Sequence, residues 1–547
     1  MSGLSRRHLL AGFGGGVATV GARPLLVGSA TAAPAPSGSD TQALQPPDQV
    51  SIGPSDRRYP DALQRGFNRR FVGSPESVRI VSTTAQVVAA VQEAVRSGKK
   101  IVVRSGGHCL ENFVDDPAAK IVIDLVEMRS VTFDASRKAF AVEAGVTLGE
   151  LYRALDWGWG VTVPGGSCQT VGIGGHATGG GFGMLSRQHG IVADYIDAVE
   201  VVIVGANGVA RAVVATGAQD DPNRELWWAH TGGGGGNFGV VTRFWLRSRS
   251  ATTSDPTSLL PTPPRALANT VLTWSWSDLG RADFVRLLGN YGTWHELNSA
   301  PGSAGAKLFS ALTAGRKEFG SVSVLAQVDP TDTAANGVVS SYLSAIRSGV
   351  AAVPTVFSSG NLPWLTTVLN LPTTAAVYAI SGPLRSKSKG ALLKKGYTGA
   401  QLDAVYDNLT STGYNNPASA LSLLSYGGAI NATAPTATAT AHRSSVIAAS
   451  FTSYWENPAD DDANIAWLRR LYSAVYADTG GVPAPNAANE GSYINWPDID
   501  LVDPTQNTSH VRWSTLFYGD NYARLQLAKA AYDPKNVFTH ALGVTAP

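Results

Sequence analysis

Short apolar runs and helically spaced apolar residues alternate along the first half of the chain. The runs are typical of buried strands, and the spaced residues place one apolar face on a helix. Alternation of the two kinds of segment predicts a mixed α/β unit between about residues 68 and 249. The predicted strands are 78–81, 100–103, 120–124 and 198–204, and the predicted helices are 84–97 and 148–155.

The second half has a different pattern and begins after a Pro/Thr/Ser-rich joint at residues 255–263. Strands and long helices resume there. Because one hydrophobic core stops growing near about 250–300 residues, a chain of 547 residues is expected to form two packed units. The predicted helices are 278–291, 465–476 and 522–531, the predicted strands are 322–328, 375–380 and 445–455, and a turn is predicted at 533–534.

The N-terminus has the pattern of a twin-arginine export signal. Arg6 and Arg7 precede a weakly apolar run, and Ala-Thr-Ala at 30–32 has the small residues of a cleavage site. A membrane anchor is the alternative, but the run at 9–22 is shorter than the roughly 20 residues that a span needs and contains glycines. We therefore expect residues 1–32 to be the signal peptide of a secreted protein that is not held in a membrane.

Composition narrows the class of partner. Charged residues make up 15% of the chain, hydrophobic residues 44%, and the formal net charge is +2. This balance excludes a strongly basic nucleic-acid-binding face and an acidic disordered tail. The expected partner is a small, largely uncharged molecule.

Glycine is concentrated where a ligand or another backbone would lie close. The segment 164–183 contains nine glycines, and the predicted strand 100–103 leads into a tight turn with Gly106 and Gly107. A Rossmann nucleotide site is excluded, because Asp197 has no helix between it and the glycines as that fingerprint requires. The two cysteines, Cys109 and Cys168, both lie in such segments, and a disulfide between them is one interpretation.

Several ordered motifs give the chain a family resemblance. Together they resemble the berberine-bridge-enzyme-like branch of the vanillyl-alcohol-oxidase flavoproteins, from about residue 65 to the C-terminus. Within that branch, Ser-Tyr-Gly-Gly at 425–428 and the segment 491–498 are most similar to the aclacinomycin oxidoreductase type. The motifs are Arg-Ser-Gly-Gly-His at 104–108, Pro-Gly-Gly-Ser-Cys at 164–168, Gly-Gly-His-x-x-Gly-Gly-Gly-x-Gly at 174–183, Gly-Gly-Gly-Gly-Gly-Asn-Phe-Gly-Val-Val-Thr at 232–242 and Tyr-Asp-Pro-Lys-Asn-Val-Phe at 532–538.

The resemblance implies an α+β fold. A two-lobed FAD-binding domain of the PCMH type would be joined to an α/β substrate domain with an antiparallel sheet, and a C-terminal segment would return to the FAD domain. The expected divisions are 1–32 signal peptide, 33–65 linker, 66–250 FAD-binding domain, 251–505 substrate domain and 506–547 C-terminal segment.

The resemblance also implies one FAD held by two covalent bonds, and no metal. His108 would be bonded through a ring nitrogen to the 8α-methyl carbon, and Cys168 through sulfur to C6, which makes the disulfide a minor alternative. His176 lies in the same loop, where we expect a structural role. The other residues expected around the cofactor are Arg104, Ser105, Gly106, Gly107, Gly165, Gly166, Thr170, Gly172, Gly174, Gly175, Val240, Val241, Asn521 and Tyr522.

Two tyrosines match the catalytic positions of the family. Removal of hydride from an alcohol carbon needs a base for the hydroxyl proton, and Tyr493 matches the base, with Tyr426 as a second tyrosine beside it. Either could instead be an ordinary core residue. Phe182 is a departure, because the aclacinomycin oxidoreductase type has a tyrosine there that joins a second dehydrogenation, so two-step oxidation is not assured. Ile173 stands where the family gates dioxygen, and a branched side chain could slow its access.

The expected function is an exported oxidase. It would dehydrogenate a hydroxyl of a glycosylated or polycyclic secondary metabolite, with dioxygen reduced to hydrogen peroxide. An oligosaccharide oxidase and a flavin-binding protein of low turnover are the alternatives, and the oligomeric state stays open. Three tryptophans, Trp364, Trp455 and Trp496, would suit a planar aglycone, whereas a sugar oxidase should present several hydrogen-bonding side chains.

Overall fold

The computed structural model describes residues 50–372 and 374–547. The predicted signal peptide and most of the predicted linker lie outside these residues. Within them, no helix has both the length and the apolar character required to cross a bilayer.

A four-stranded sheet opens the described chain. The strand Ile121–Asp124 pairs in parallel with both of its neighbours, and its end lies beside the end of the strand Ile101–Arg104, which brings Arg104 opposite Asp124. Within this buried pair, Nη2 of Arg104 lies 2.8 Å from Oδ2 of Asp124. The strands are β1 (Val50–Ile52), β2 (Ser77–Ile80), β3 (Ile101–Arg104) and β4 (Ile121–Asp124), in the order β1-β2-β4-β3.

A five-stranded antiparallel sheet completes the first lobe, in the order β5-β6-β9-β7-β8. The strands are β5 (Val131–Asp134), β6 (Ala139–Glu143), β7 (Ile196–Val204), β8 (Ala210–Thr216) and β9 (Val240–Leu246). The helices of this lobe are α1 (Tyr59–Leu63), α2 (Thr84–Ser97), α3 (Leu148–Trp159), α4 (Ile173–Thr178), α5 (Ser186–His189) and α6 (Arg224–Ala229). Helix α2 begins at Thr83, whose side chain accepts the N–H of Gln86, and ends at Gly98 in the left-handed conformation.

The second lobe is built on a nine-stranded sheet in the order β13-β10-β12-β11-β16-β17-β15-β18, with β14 paired to β10. All of its pairings are antiparallel. The strands are β10 (Ala266–Ser275), β11 (Phe309–Gly315), β12 (Ser321–Val328), β13 (Thr355–Ser358), β14 (Leu362–Pro363), β15 (Arg385–Leu393), β16 (Ser419–Ser425), β17 (Ile447–Trp455) and β18 (Asn489–Gly491). The helices are α7 (Arg281–Asn298), α8 (Thr333–Arg347), α9 (Trp364–Leu369), α10 (Thr374–Val377), α11 (Gly399–Thr410) and α12 (Asp461–Val475).

The C-terminal segment packs against the first lobe. It contains α13 (Trp513–Tyr518) and α14 (Tyr522–Tyr532). Arg524 forms a 2.6 Å ion pair with Glu225, and the Lys529 ammonium donates to the Asn237 carbonyl over 2.8 Å. This return places residues 538–540 beside the glycine-rich segment 232–242.

Most predicted elements are confirmed to within a few residues, and one prediction is wrong. Residues 375–380 were expected to be a strand, but Thr374–Val377 is a short helix. Its alanines favour helix, and the segment has no strand beside it with which to pair. The apolar core also differs from the expected pair of cores, because one continuous cluster of buried residues runs through both lobes and the C-terminal segment.

Candidate active site

A deep cavity of about 480 Å³ lies between the two lobes. The first lobe contributes the strand end and loop 101–110, the segment 166–184 and residues 234–241. The second lobe contributes Phe309, Thr374, Leu424, Tyr454 and residues 493–497. Because strand ends and loops from both lobes converge on this cavity, it is the candidate active site.

Two backbone segments meet along one wall of the cavity. A Cβ atom on Gly106 would lie 2.2 Å from the Gly172 nitrogen, so the two loops touch through their glycines. Ser105 reinforces the contact by donating its hydroxyl to the Ala144 carbonyl over 2.6 Å. Glycine is therefore needed at 106 and 172 because the two backbones touch there, and this contact fixes the positions of the two loops relative to each other.

His108, Thr170 and Cys168 are brought together at this wall, and we call them the anchor region. The Thr170 hydroxyl lies 2.8 Å from Nε2 of His108 and 3.6 Å from Sγ of Cys168. Burial lowers the pKa of His108 to about 4, so its ring is neutral near pH 7. Because Nε2 is in contact with the Thr170 hydroxyl, Nδ1 is the ring nitrogen outside this contact.

The two cysteines have different surroundings and do not pair. Both are free thiols in the structure, so the disulfide interpretation fails. Burial raises the pKa of the Cys109 thiol to about 11, which keeps it protonated and unreactive near neutral pH. Cys168 is exposed to the cavity.

Tyr493 and Asn495 form a second group at the cavity, which we call the base region. The Tyr493 hydroxyl oxygen accepts the N–H of Gly181 over 3.0 Å and the Asn495 side-chain amide over 2.9 Å. Burial raises the pKa of Tyr493 to about 12, and these N–H donors oppose that rise. Sequence reasoning missed Asn495, although it is two residues from Tyr493 in the same motif.

Among the described residues, no hydrogen bond joins Tyr426 to the Tyr493 hydroxyl. Its own hydroxyl donates to the His442 carbonyl at a long 3.5 Å, and burial raises the pKa of Tyr426 well above its ordinary value. The Phe182 ring packs edge-on against both tyrosines, with centroids 5.2 Å and 5.3 Å away. Phe182 is therefore the aromatic link between them.

The structure brings most of the residues predicted around the cofactor to the cavity, and it places some elsewhere. Gly165, Thr170, Asn521 and Tyr522 are not among the residues that line the cavity. Thr170 contacts His108 and Cys168 beside it, whereas Asn521 donates to the Pro435 carbonyl and Tyr522 stacks on Tyr518. Of the three tryptophans, only Trp496 lines the cavity. The predicted residues that do line it are His108, Cys168, Arg104, Ser105, Gly106, Gly107, Gly166, Gly172, Gly174, Gly175, His176, Val240, Val241 and Tyr493.

Sequence reasoning missed several lining residues from distant segments. Tyr454 from β17 and His540 from the C-terminal segment both face the cavity. The His540 ring stacks on Phe113 with centroids 4.4 Å apart, and neither of its nitrogens has a partner of hydrogen-bond geometry, although the Gly235 backbone is near. No local motif marks these residues, because only the fold brings them to the site.

A buried cluster of charges ties the two regions to one frame. Lys387 on β15 contacts Glu111, three residues after His108, at 2.6 Å and Asp498, five residues after Tyr493, at 2.7 Å. Lys389 contacts Asp498 at 2.7 Å from the same strand. Burial opposes the charge on Lys387, but these carboxylates outweigh it and hold the pKa of Lys387 above its ordinary value.

Comparison with known proteins decides the family. The family model of the FAD binding domain matches residues 75–212, and the model described as berberine and berberine like matches residues 492–545. The chain is 49% identical over 498 residues to the aclacinomycin-N/aclacinomycin-A oxidase of Streptomyces galilaeus, covering 91% of this chain and 90% of that protein. The chain belongs to the berberine-bridge-enzyme-like FAD-linked oxidases.

Solved structures support this membership. A crystal structure of aclacinomycin oxidoreductase superposes with a TM-score of 0.87 at 48% identity, covering 91% of this chain and all of that chain. A glycopeptide hexose oxidase complexed with teicoplanin superposes with a TM-score of 0.85 at 43% identity, covering 92% and 99%. The fold of this berberine-bridge-enzyme-like chain is the expected α+β fold with a PCMH-type FAD-binding domain, and the protein is an FAD-dependent oxidoreductase.

The residues present fit FAD. The cavity is walled on one side by touching backbone loops, and a neutral histidine and an exposed thiol line it together. The buried His540 offers ring nitrogens to a polar group elsewhere in the same cavity. No His, Cys, Asp or Glu cluster suited to a metal occurs among residues 50–372 and 374–547.

Proposed function

We propose that the protein is an exported oxidase with bicovalent FAD that dehydrogenates a hydroxyl group of a glycosylated or polycyclic secondary metabolite. The acceptor of the electrons is dioxygen and the product is hydrogen peroxide. The observation that carries this proposal is the pairing, in one cavity, of the anchor region with a phenol whose oxygen accepts two N–H groups.

His108 and Cys168 hold the cofactor in this proposal. The Thr170 hydroxyl contacts Nε2 of His108, so Nδ1 would be the atom bonded to the 8α-methyl carbon, and Sγ of Cys168 would be the atom bonded to C6. The neutral ring supplies the free electron pair that such a bond needs. FAD, when bound, supplies the acceptor for hydride from the substrate carbon at N5 and the route for two electrons to dioxygen.

Tyr493 takes the proton of the substrate hydroxyl. An alkoxide is a far better hydride donor than an alcohol, so removal of this proton assists the reaction. The N–H groups of Gly181 and Asn495 hold the phenol oxygen and stabilise the phenolate form. Tyr426 supports this site by packing on Phe182, which replaces the more direct role expected from the sequence.

The lining of the second lobe supports a polycyclic or glycosylated substrate. Trp496 packs edge-on against Phe182 with centroids 5.6 Å apart, and Phe309 and Leu424 add apolar surface. The hydrogen-bonding side chains that line the cavity from this lobe are Thr374, Tyr454, Tyr493, Asn495 and, through its indole N–H, Trp496. A relative is named for aclacinomycins, which supports the same class.

A carbohydrate oxidase is the second candidate, because a further relative, from Chondrus crispus, is named hexose oxidase and is 30% identical over 537 residues, covering 90% of this chain and 94% of that protein. Its substrate would have to be recognised by the few polar side chains of the second lobe. A flavin-binding protein of low turnover would give no catalytic role to the Tyr493 oxygen, which accepts two N–H groups.

Peroxide release separates these candidates. Purified holoenzyme is given aclacinomycin A, teicoplanin, D-glucose and cello-oligosaccharides, with Tyr493→Phe as the matched control. We expect peroxide from a glycosylated natural product and at least tenfold less from the simple sugars. Equal or greater turnover on simple sugars would support the carbohydrate oxidase, and release from no hydroxyl compound would support the flavin-binding protein.

Export rests on the twin-arginine pattern at Arg6 and Arg7. That pathway carries folded proteins, so a chain that binds FAD in the cytoplasm can leave with it. Replacement of both arginines by lysine should keep the protein inside an actinobacterial host that exports the unchanged chain. Secretion of the double variant at the original level would remove the export proposal.

A further inference from the structure

The glycine run at the end of α4 makes room for the loop that carries Tyr493. A Cβ atom on Gly179 would lie 2.0 Å from Oδ1 of Asn495, so a larger residue would displace the asparagine. Gly181 has φ +72°, in the left-handed region that favours glycine. That conformation directs its N–H to the Tyr493 oxygen at 3.0 Å. The run therefore receives the asparagine and the tyrosine together.

The second partner of Asn495 fixes how its amide is turned. Nδ2 of Asn495 lies 3.0 Å from the His176 carbonyl oxygen, which can only accept a hydrogen bond. The atom that faces this carbonyl must therefore be the amide nitrogen. The same nitrogen lies 2.9 Å from the Tyr493 oxygen, so Asn495 donates to the phenol as well.

We propose that Asn495 is a positioning residue that lowers the proton affinity of the Tyr493 phenol and directs its O–H towards the cavity. Two N–H groups already occupy the acceptor positions of the phenol oxygen, so its own proton must point away from Gly181 and Asn495. When the Tyr493 phenol has lost its O–H proton, both N–H groups still donate to its oxygen. These hydrogen bonds are stronger to the phenolate than to the neutral phenol. The proposal rests on the proposed role of Tyr493 as base.

The charged groups around Tyr493 do not replace this effect. Burial lowers the pKa of His176 to about 4 and also lowers the pKa of His442, so both rings are neutral near pH 7. The other titratable or charged groups are paired or lie beyond Phe182: they are Tyr426, Glu490 bonded to the backbone of Ser444, Arg443 paired with Asp194 at 2.7 Å, and Asp498 paired with Lys387 and Lys389.

The test is the titration of the Tyr493 phenol without substrate. The holoenzyme is labelled with 3-fluorotyrosine, because ring fluorine lowers the pKa of a phenol and so moves its titration to lower pH. Fluorine NMR signals of Tyr493 and Tyr454 are assigned by their loss in Tyr493→Phe and Tyr454→Phe. Asn495→Leu removes the donor, and Asn495→Asp has the same shape but presents a carboxylate.

Loss of the amide should raise the titration midpoint of Tyr493 by about one to two pH units in Asn495→Leu, and by more in Asn495→Asp. The Tyr454 signal is the internal control and should keep its midpoint. An unchanged Tyr493 midpoint in either folded variant would overturn the proposal. Asn495→Asp keeps the side-chain volume, so it serves if the leucine variant does not fold.

Turnover of aclacinomycin A then separates the positioning role of Asn495 from the proposed role of Tyr493 as base. If Asn495 acts through the phenol, Asn495→Leu should lower turnover by about 10-fold to 100-fold near pH 7, and turnover should recover as the pH rises. In a Tyr493→Phe background, the same substitution should change turnover little. Equal losses in both backgrounds would contradict the positioning role. Full turnover by Tyr493→Phe would remove the base and leave the titration result standing.

Discussion

The anchor region and the base region hold their reactive atoms in opposite ways. In the anchor region, Cys168 is exposed and shares a single threonine hydroxyl with His108. In the base region, Tyr493 is 6% exposed, its oxygen accepts two N–H groups, and its ring packs edge-on against Phe182 and Trp496.

In the proposed function, this difference follows from the number of times each region acts. Attachment of a cofactor happens once in the life of the molecule, so the attaching atoms must be accessible when the cofactor enters. A base acts in each turnover, so its position must be set in advance and water kept away. Changes in the base region should therefore reduce rate, and changes in the anchor region should alter what stays bound.

The largest effect is expected from Tyr493→Phe. Loss of the phenol oxygen should lower turnover by roughly 10²–10⁴-fold, the usual range for a lost proton-transfer group, while the flavin stays covalently bound. Steady-state peroxide release and flavin absorbance measure the two quantities. Tyr454→Phe is the matched control, because it removes another phenol from the same cavity.

In that comparison Tyr454→Phe should keep most of its turnover. The result that would contradict the assignment is the reverse order, with Tyr454→Phe inactive and Tyr493→Phe active. A further check is the pH dependence. Because the phenol must lose its proton and burial raises the pKa of Tyr493 to about 12, turnover should rise as pH rises through the neutral range.

Lys387→Met tests whether the two regions share one frame. It leaves Glu111 and Asp498 buried without this partner, which should lower the free energy of unfolding by about 3–5 kcal/mol. Denaturant unfolding measures it. Arg281→Met is the control, since its pairs with Asp403 and Asp407 are exposed to solvent and should contribute little to stability. Equal losses in the two variants would mean that the buried cluster is not a structural link.

Single changes in the anchor region should have a smaller effect on rate than Tyr493→Phe. His108→Ala and Cys168→Ala should each retain flavin through the other bond, and the double variant should release it on denaturation. Cys109→Ala is the control and should leave both bonds formed, because that half-buried thiol has a raised pKa and stays protonated near neutral pH. An unchanged flavin spectrum in Cys168→Ala would show that sulfur is not attached at C6.

The smallest effect is expected from Tyr426→Phe. Its hydroxyl makes one long hydrogen bond to a carbonyl, and its ring contact with Phe182 survives the change. Turnover should fall by less than tenfold, because the substitution removes only one weak hydrogen bond between neutral groups. A loss as large as that of Tyr493→Phe would show that both tyrosines move the proton.

Short sequence motifs pointed to the three residues of the anchor region and, in the base region, to Tyr493 but not to Asn495. His108 and Cys168 each lie in a glycine-rich motif, and Tyr493 lies in the segment 491–498, so each stands in a short stretch of sequence that can be recognised. Tyr454 and His540 come from segments without such a motif, and the fold alone brings them to the cavity. The strand predicted at 375–380 failed for the same reason, because pairing between distant segments decides whether a short apolar run is a strand.

The retention of flavin after denaturation tests the central claim most directly. The purified protein is precipitated with acid, and the pellet is redissolved and measured by absorbance and by intact mass. The account predicts that all of the flavin stays in the pellet as one FAD per chain, and that both His108 and Cys168 peptides carry it after digestion. Recovery of all flavin in the supernatant would contradict the bicovalent site.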